Sequence, residues 1–334
     1  MIWVAFGVCL AAILFAGARL ARYGDAIAEK TGLGRIWIGL VLIAVVTTMP
    51  ELVTSVSSVA LVGSPDLALG TLLGSCCFNI LVLAVLDRLH RRTPVLSAAS
   101  RKHALAAVWG ALLIGITGMS IWGGERFSSL ALGRLGVPSL VILILYLLGM
   151  WWMFRSERRD RQGSASEAPT QYDKLDRKTA YIRFGMAAAV VIAAGIALSY
   201  IGDAISIATG WGSTFVGTLF LAIATSAPEL VVVISALRMG AVDLAVGDVL
   251  GANMLNMAIV VAVDVAHGPG FVLSSVTGGH ITAFVAVAMS LVVIAGLRLR
   301  QRRKLLGAVS WYVPVLIALY VIGAYALFAS GTGL

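Results

Sequence analysis

Long runs of Leu, Val, Ile and Ala, separated by short clusters of charge, set the pattern of this chain. Apolar runs fall at about Ile2 to Ala21, Ile36 to Val62, Leu67 to Leu86, Ala104 to Ile121 and Val137 to Phe154. A second set falls at about Ile182 to Ile201, Thr214 to Leu237, Leu244 to Val265, Gly279 to Leu297 and Ala308 to Phe328. Each run is near the ~20 apolar residues that an α-helix needs to cross a bilayer. The ~10-residue alternating strands of a membrane barrel are absent. The pattern predicts an all-α polytopic membrane protein with ten transmembrane helices. The first run is read as a retained helix rather than a signal peptide, because no basic stretch precedes it and Arg19 and Arg22 follow it.

One polar stretch, Arg155 to Ala180, separates the two sets and has no core-forming pattern. It divides the chain into a first five-helix unit (1–154), a linker (155–180) and a second five-helix unit (181–334). The two units repeat one another. Tyr23-Gly-Asp-Ala-Ile27 matches Ile201-Gly-Asp-Ala-Ile205, Thr31, Gly32, Gly34 and Gly39 match Thr209, Gly210, Gly212 and Gly217, and Glu51 matches Glu229, all at an offset of 178. At an offset of 177, Asp66 pairs with Asp243, Gly70 with Gly247, Gly74 with Gly251, Asn79 with Asn256, Asp87 with Asp264, and His90 and His103 with His267 and His280. An odd number of spans per unit turns the second upside down, so the expectation is two inverted-topology repeats, an arrangement that carriers use for alternating access. Simple duplication in a channel or scaffold would leave the same symmetry.

Composition agrees with the membrane reading: the 334 residues are 60% hydrophobic and 12% charged, with mean hydropathy +0.96, against about 25% charged in soluble domains. The net charge of +9 reports loop bias rather than nucleic-acid binding, since no basic helix interleaved with aromatics is present. Of the 25 Lys and Arg residues, only Arg126 and Arg134 fall on one side of the predicted map. Because positive charge collects in cytoplasmic loops, both termini are predicted outside and the linker cytoplasmic. Short loops point to a prokaryotic plasma (inner) membrane. The linker is too short for a calcium-sensing domain, and its expected role is a solvated tether. The sequence leaves the oligomeric state open and is compatible with a monomer. Cys9, Cys76 and Cys77 lie in apolar runs without metal-site spacing and are expected as free packed thiols.

Ionisable residues inside a span are costly and mark functional sites. Glu51 and Glu229 each follow a proline, in Thr47-Thr48-Met49-Pro50-Glu51 and Thr225-Ser226-Ala227-Pro228-Glu229. Proline withholds a backbone donor and breaks the helix, which would set carbonyl and hydroxyl oxygens beside a carboxylate. Such oxygens suit Ca²⁺ and Na⁺, whereas transition metals would recruit His or Cys. A proline kink with a protonated or salt-bridged glutamate is the plainer alternative, less natural for two matched copies. In the following spans Thr71, Ser75 and Asn79, and Asp248, Ala252 and Asn256, each line one helix face at i, i+4, i+8. Gly70, Gly74, Gly247 and Gly251 leave room for close helix crossings. Asn79 and Asn256 are read as ligands. Ser75 serves either packing or ligation, and Asp248 either ligation or a vestibule. The four histidines fall at span ends and are left outside the site. Asp25 and Asp203, beside glycines, are expected in capping or turning loops, and Trp3, Trp37, Trp151, Trp152 and Trp311 in an interfacial belt.

Thr47-Thr-Met-Pro-Glu-Leu52 and Thr225-Ser-Ala-Pro-Glu-Leu230, each followed by Gly-x-x-x-Gly and then Asn, resemble the two α-repeats of the cation/Ca²⁺ antiporter superfamily, of the sodium/calcium exchanger type. The resemblance covers nearly the whole chain. It implies that Thr47, Thr48, Glu51, Ser75 and Asn79, with Thr225, Ser226, Glu229 and Asn256, stand at ion-coordinating positions. Val46 and Ala224 replace the glycines of that pattern, Thr71 and Asp248 replace Asn, Cys76 replaces the Asn of Gly-Ser-Asn, and Ala252 removes a serine hydroxyl. Asn256 takes a position where related exchangers carry Asp. The implied function is a secondary antiporter moving Ca²⁺ against Na⁺ or H⁺, with those inorganic cations and the lipid bilayer as its partners and no cofactor. A cation channel, or an ion-binding membrane protein without coupled transport, is the alternative. Enzymatic chemistry is not expected, because no nucleophile–base pair or phosphate-cradling loop stands beside the carboxylates.

Overall fold

A computed structural model describes residues 1–31, 44–91, 93–124, 126, 131–132, 135–160, 176–268, 271–301, 303–304 and 309–332. The apolar runs form helices: α1 (Ile2–Thr31), α2 (Met49–Ala60), α3 (Pro65–Leu89), the short α4 (Val95–Ala98), α5 (His103–Gly123) and α6 (Val137–Asp160) in the first half. The second half holds α7 (Arg177–Thr209), α8 (Ser213–Thr225), α9 (Ala227–Arg238), α10 (Val242–His267), α11 (Gly279–Leu299) and α12 (Tyr312–Thr332). A small antiparallel hairpin, Ala131–Leu132 with Leu135–Gly136, precedes α6.

Among the described residues eight helices are long and apolar enough to cross a membrane, and α8 with α9, bent by 45°, makes a ninth. The remaining expected span begins at Ile36. Its first part falls outside the described residues, and the rest is a helical turn from Ala44 followed by α2. Trp37 also lies outside them.

Helices α3 and α10 are the most enclosed. They form the centre of the main apolar core with α5 and α11, whereas α1 lies along α7 at the periphery. A π-helical turn, Gly217–Leu221, interrupts α8 where it meets α3. There the Gly70–Gly74 pair does what its spacing predicted. A Cβ on Gly70 would stand 2.7 Å from the Thr214 carbonyl oxygen, and one on Gly74 would strike the Thr218 backbone. The matching crossing cannot be followed, because the segment equivalent to Thr214–Thr218 lies outside the described residues. Gly247 instead faces the His103 ring.

Two expectations need correction. Asp25 and Asp203 sit within α1 and α7, not in loops. Of their neighbouring glycines, Gly202 serves a close approach to Leu221, where a Cβ would stand 2.7 Å away, while a Cβ on Gly24 would meet Val46 at ordinary contact distance. The polar stretch after Phe154 is helical at both ends, since α6 runs to Asp160 and α7 begins at Arg177. There Asp176 caps the helix by accepting from the Thr179 N–H.

Residues paired by the repeat meet equivalent partners. Asp87 Oδ1 accepts from the Val95 N–H at 2.9 Å, and Asp264 Oδ1 from the Val272 N–H at 2.8 Å. Asp66 accepts from the Thr277 N–H and Asp243 from the Ser100 N–H. Each of these four pairs obeys the offset of 177. On the axis of this symmetry, Asn253 donates to the Cys76 carbonyl and the Cys76 thiol to the Asn253 carbonyl. All three cysteines are free and buried. Trp3 and Phe328 both pack against Trp211, with centroids 6.2 and 6.4 Å away, so the two ends of the chain share one face. The α2–α3 corner is on that face too, because Asp66 accepts from Thr214 Oγ1 at the start of α8.

Candidate functional site

The helix breaks predicted at the two prolines are present and alike. Thr48 (φ −85°, ψ 5°) precedes α2 and Ser226 (φ −86°, ψ 3°) precedes α9, each followed by proline in the first turn. Proline has no N–H to give the carbonyl four residues back, here Val46 and Ala224. The glutamate that follows sits in the first turn of the new helix, where backbone N–H groups point at an anion.

The breaks meet across the repeat. Glu51 Oε1 accepts from Ser226 Oγ at 2.7 Å and from Ser75 Oγ at 3.5 Å, and Ser75 Oγ stands 3.5 Å from Thr225 Oγ1. A carboxylate of the first half is thus held by one hydroxyl from each half. Thr47, the repeat mate of Thr225, turns its hydroxyl to the Ala44 carbonyl at 3.2 Å. Thr48 and Thr225 have spent their protons on their own helices, Thr48 on the Ala44 carbonyl and Thr225 on that of Leu221. Their oxygens keep lone pairs for a cation.

Burial sharpens the picture. Glu51, Glu229 and Asp248 are 0%, 2% and 3% exposed, and among the described residues no Lys, Arg or His pairs with any of them. Glu51 Oε2, both carboxylate oxygens of Glu229 and of Asp248, and the whole carboxamides of Asn79 and Asn256 have no hydrogen-bond partner. A buried unsatisfied polar group costs about 1–3 kcal/mol and a charged one more, so these groups call for a polar partner, an ion or water. Of the plainer alternative, the salt-bridged form of the glutamate is thus not found among the described residues. Among the described residues no three His, Cys, Asp or Glu side chains converge closely enough to hold a metal by themselves. A cation here would need hydroxyl, amide and carbonyl oxygens as well, the donor set of a hard ion.

Contacts at hydrogen-bonding distance join four of the ten predicted residues, Glu51, Ser75, Thr225 and Ser226, and Glu229, Asn79, Asn256 and Asp248 are buried with unpartnered polar atoms. Asp248 lies nearly two turns into α10 rather than at its end. Thr71, on the same stripe as Ser75, returns its hydroxyl to the Leu67 carbonyl. Sequence reasoning passed over Asn253, whose Oδ1 is also buried without a partner. The signal was its pairing with Cys76 at the offset of 177. It also passed over Thr54 and Ser55, one turn beyond Glu51, both fully buried.

Comparison with known proteins identifies the family of the chain. Residues 1–155 and 179–331 match the family profile described as "Sodium/calcium exchanger protein". The chain is 27% identical over 273 residues, 79% of either chain, to "Inner membrane protein YrbG" of Escherichia coli (strain K12). Among solved structures, the H⁺/Ca²⁺ exchanger CAX superposes with a TM-score of 0.70 at 14% identity, covering 99% of this chain and 85% of that one. The sodium-calcium exchanger NCX_Mj superposes with a TM-score of 0.62 at 20% identity, covering 98% and 100%. At such identities the two structures speak for the fold alone.

Proposed function

Since this integral membrane protein belongs to the sodium/calcium exchanger family, we propose that it is a secondary antiporter exchanging Ca²⁺ for Na⁺ or H⁺ by alternating access. Glu51 and Glu229 are its central charge pair, and Thr47, Thr48, Ser75, Asn79, Thr225, Ser226, Asp248 and Asn256 complete the ion site. The observation that carries this reading is the crossing of the two breaks: two buried carboxylates without a cationic partner, one from each repeat, the first bonded to the second repeat's Ser226 at 2.7 Å.

Exchange follows from the charge balance. A site with two carboxylates holds Ca²⁺ or its counter-ions but not both at full occupancy, and crossing the bilayer empty and doubly charged is costly. Two inverted five-helix repeats around the site supply the alternation, with both ends of the chain outside and the linker in the cytoplasm of a prokaryotic cell. A difference in register between the halves supports this. Gly17 of α1 packs on Pro228, whereas its repeat mate Gly195 of α7 packs on Val53 and Thr54, about one helical turn beyond the equivalent Pro50. Halves of similar sequence in different registers are what an exchange of conformations requires.

The test is ⁴⁵Ca²⁺ uptake into proteoliposomes loaded with Na⁺, beside liposomes carrying only an outward proton gradient and a no-gradient control. Uptake driven by either gradient establishes the antiporter and names its coupling ion. Ca²⁺ flux that follows voltage and needs no counter-ion would make the protein a channel.

A further inference from the structure

The two helices that carry the glutamates differ beyond them. In α2, Glu51 is followed one turn on by Thr54 and Ser55 and after two turns by Ser58, all fully buried. The equivalent residues of α9, at the offset of 178, are Val232, Val233 and Ala236. The Ser58 hydroxyl returns to the Thr54 carbonyl at 2.8 Å, but Thr54 Oγ1 and Ser55 Oγ have no hydrogen-bond partner among the described residues. A serine or threonine inside a helix ordinarily bonds the carbonyl one turn back. Two adjacent hydroxyls that do not, at zero exposure, carry an uncompensated cost. Helix α7 approaches closely here, and Gly195 permits it, since a Cβ there would sit 3.2 Å from Thr54 Oγ1.

We infer that Thr54 and Ser55 form an additional cation station, about 5 Å along α2 from Glu51, on the side of the site that leads to the face carrying both chain ends. Its ligand is the transported hard cation, partly stripped of water, which takes the two neutral hydroxyl oxygens in place of hydration as it enters or leaves. The opposite route, along α9 towards Arg238, has valines and an alanine in the same places, and the unpartnered polar group on that side is instead the Asp248 carboxylate of α10. The site therefore communicates with its two sides unequally. This inference rests on the exchange function proposed above and assigns a sidedness to it.

Right-side-out and inverted membrane vesicles of the full chain test it, with ⁴⁵Ca²⁺ exchange measured from each face. Thr54→Val with Ser55→Ala gives the first half the polarity of the second while keeping side-chain volume close. The expected result is a five- to tenfold rise in the Ca²⁺ KM from the face of the chain ends and a change under twofold from the other. The reciprocal variant, Val232→Thr with Val233→Ser, lowers the KM from the opposite face alone. Equal changes at both faces, or none at either in both variants, overturn the station while leaving exchange intact. Absence of exchange in the unaltered protein overturns the exchange function itself and the station with it.

Discussion

Glu51 and Glu229 stand at breaks of the same backbone shape, yet the protein treats them differently. Glu51 is hydrogen-bonded by Ser226 and Ser75 from two other helices, while both oxygens of Glu229 lack a partner. The breaks themselves are local: Pro50 and Pro228 remove a donor whatever surrounds them. The bonding is tertiary, and it depends on which half has moved where. The symmetric sequence builds two copies of one local device, and the packing of α1 and α7 in different registers makes them unequal.

The strongest way to probe this comparison is to neutralise each carboxylate in turn. Glu51→Gln and Glu229→Gln should each lower ⁴⁵Ca²⁺ exchange at least a hundredfold. The mutant proteins should still insert and elute as folded species in detergent, because an amide replaces a buried acid at nearly constant volume. If either variant exchanged like the parent, the paired-charge site would be wrong and the inequality between the halves would have no functional meaning.

A second inequality separates the corners that hold the halves together. Asp87 accepts from the Tyr312 hydroxyl at 2.5 Å and from the Ser310 N–H and hydroxyl, and its Oδ2 stands 3.4 Å from Lys304 Nζ, with the lysine 4% exposed. Lys304 also donates to the Asp87 backbone carbonyl. Asp264 accepts from the Gly136 and Val272 N–H groups. Removing one member of a buried ion pair strands the other and costs about 3–5 kcal/mol, whereas losing charge from a carboxylate bonded to backbone N–H groups costs about 1.5–3 kcal/mol. Asp87→Asn should therefore lower the thermal midpoint in detergent clearly more than Asp264→Asn. Restoring the Asp87→Asn variant with Lys304→Met should recover part of the loss, and additive losses in the double variant would exclude the pairing.

Helix crossings give a third contrast. At Gly74 an added side chain meets the Thr218 backbone, while around Gly185 a Cβ has open space. Overpacking costs about 1–3 kcal/mol, so Gly74→Val should lower the thermal midpoint by several degrees and Gly185→Val by less than two. The crossing at Gly74 also sets the distance between α3, with its Ser75 and Asn79, and the π-helical turn before Thr225. Exchange by Gly74→Val should fall accordingly.

Much of this was legible in the chain. Period and length gave the nine spans that the described residues carry, the bent pair α8 and α9 included, because a bilayer demands ~20 apolar residues whatever the fold. The offsets of 178 and 177 gave the pairing of Asp87 with Asp264, which the structure repays with matching hydrogen bonds to Val95 and Val272. The ends of helices were less legible. Gly24 and Gly202 look like punctuation in the sequence and lie within helices in the fold, so Asp25 and Asp203 fell on the wrong element. Nor could the sequence tell that the Thr71 hydroxyl turns back on its own helix while that of Ser75 reaches Glu51. Both sit on one stripe, and only the neighbouring helix decides between them.

The smallest expected effect tests the bonding of the two breaks directly. Ser226 and Thr48 occupy equivalent positions, but Ser226 donates to Glu51 whereas Thr48 donates to the Ala44 carbonyl of its own helix. A hydrogen bond to a charged group is worth about 1.5–3 kcal/mol, and 1.4 kcal/mol is tenfold in affinity. The hydroxyl of Ser226 holds Glu51 in place but occupies one of its lone pairs, and a bound cation takes that share of the charge for itself. The net change in Ca²⁺ affinity for Ser226→Ala is therefore smaller than the full bond, about three- to tenfold weaker. For Thr48→Ala, which removes only a lone-pair donor, the change should stay under threefold. Isothermal titration with Ca²⁺ reads both. An equal loss in the two variants would mean that the breaks are equivalent once the ion is bound, and that the asymmetry of Glu51 and Glu229 belongs to the empty site alone.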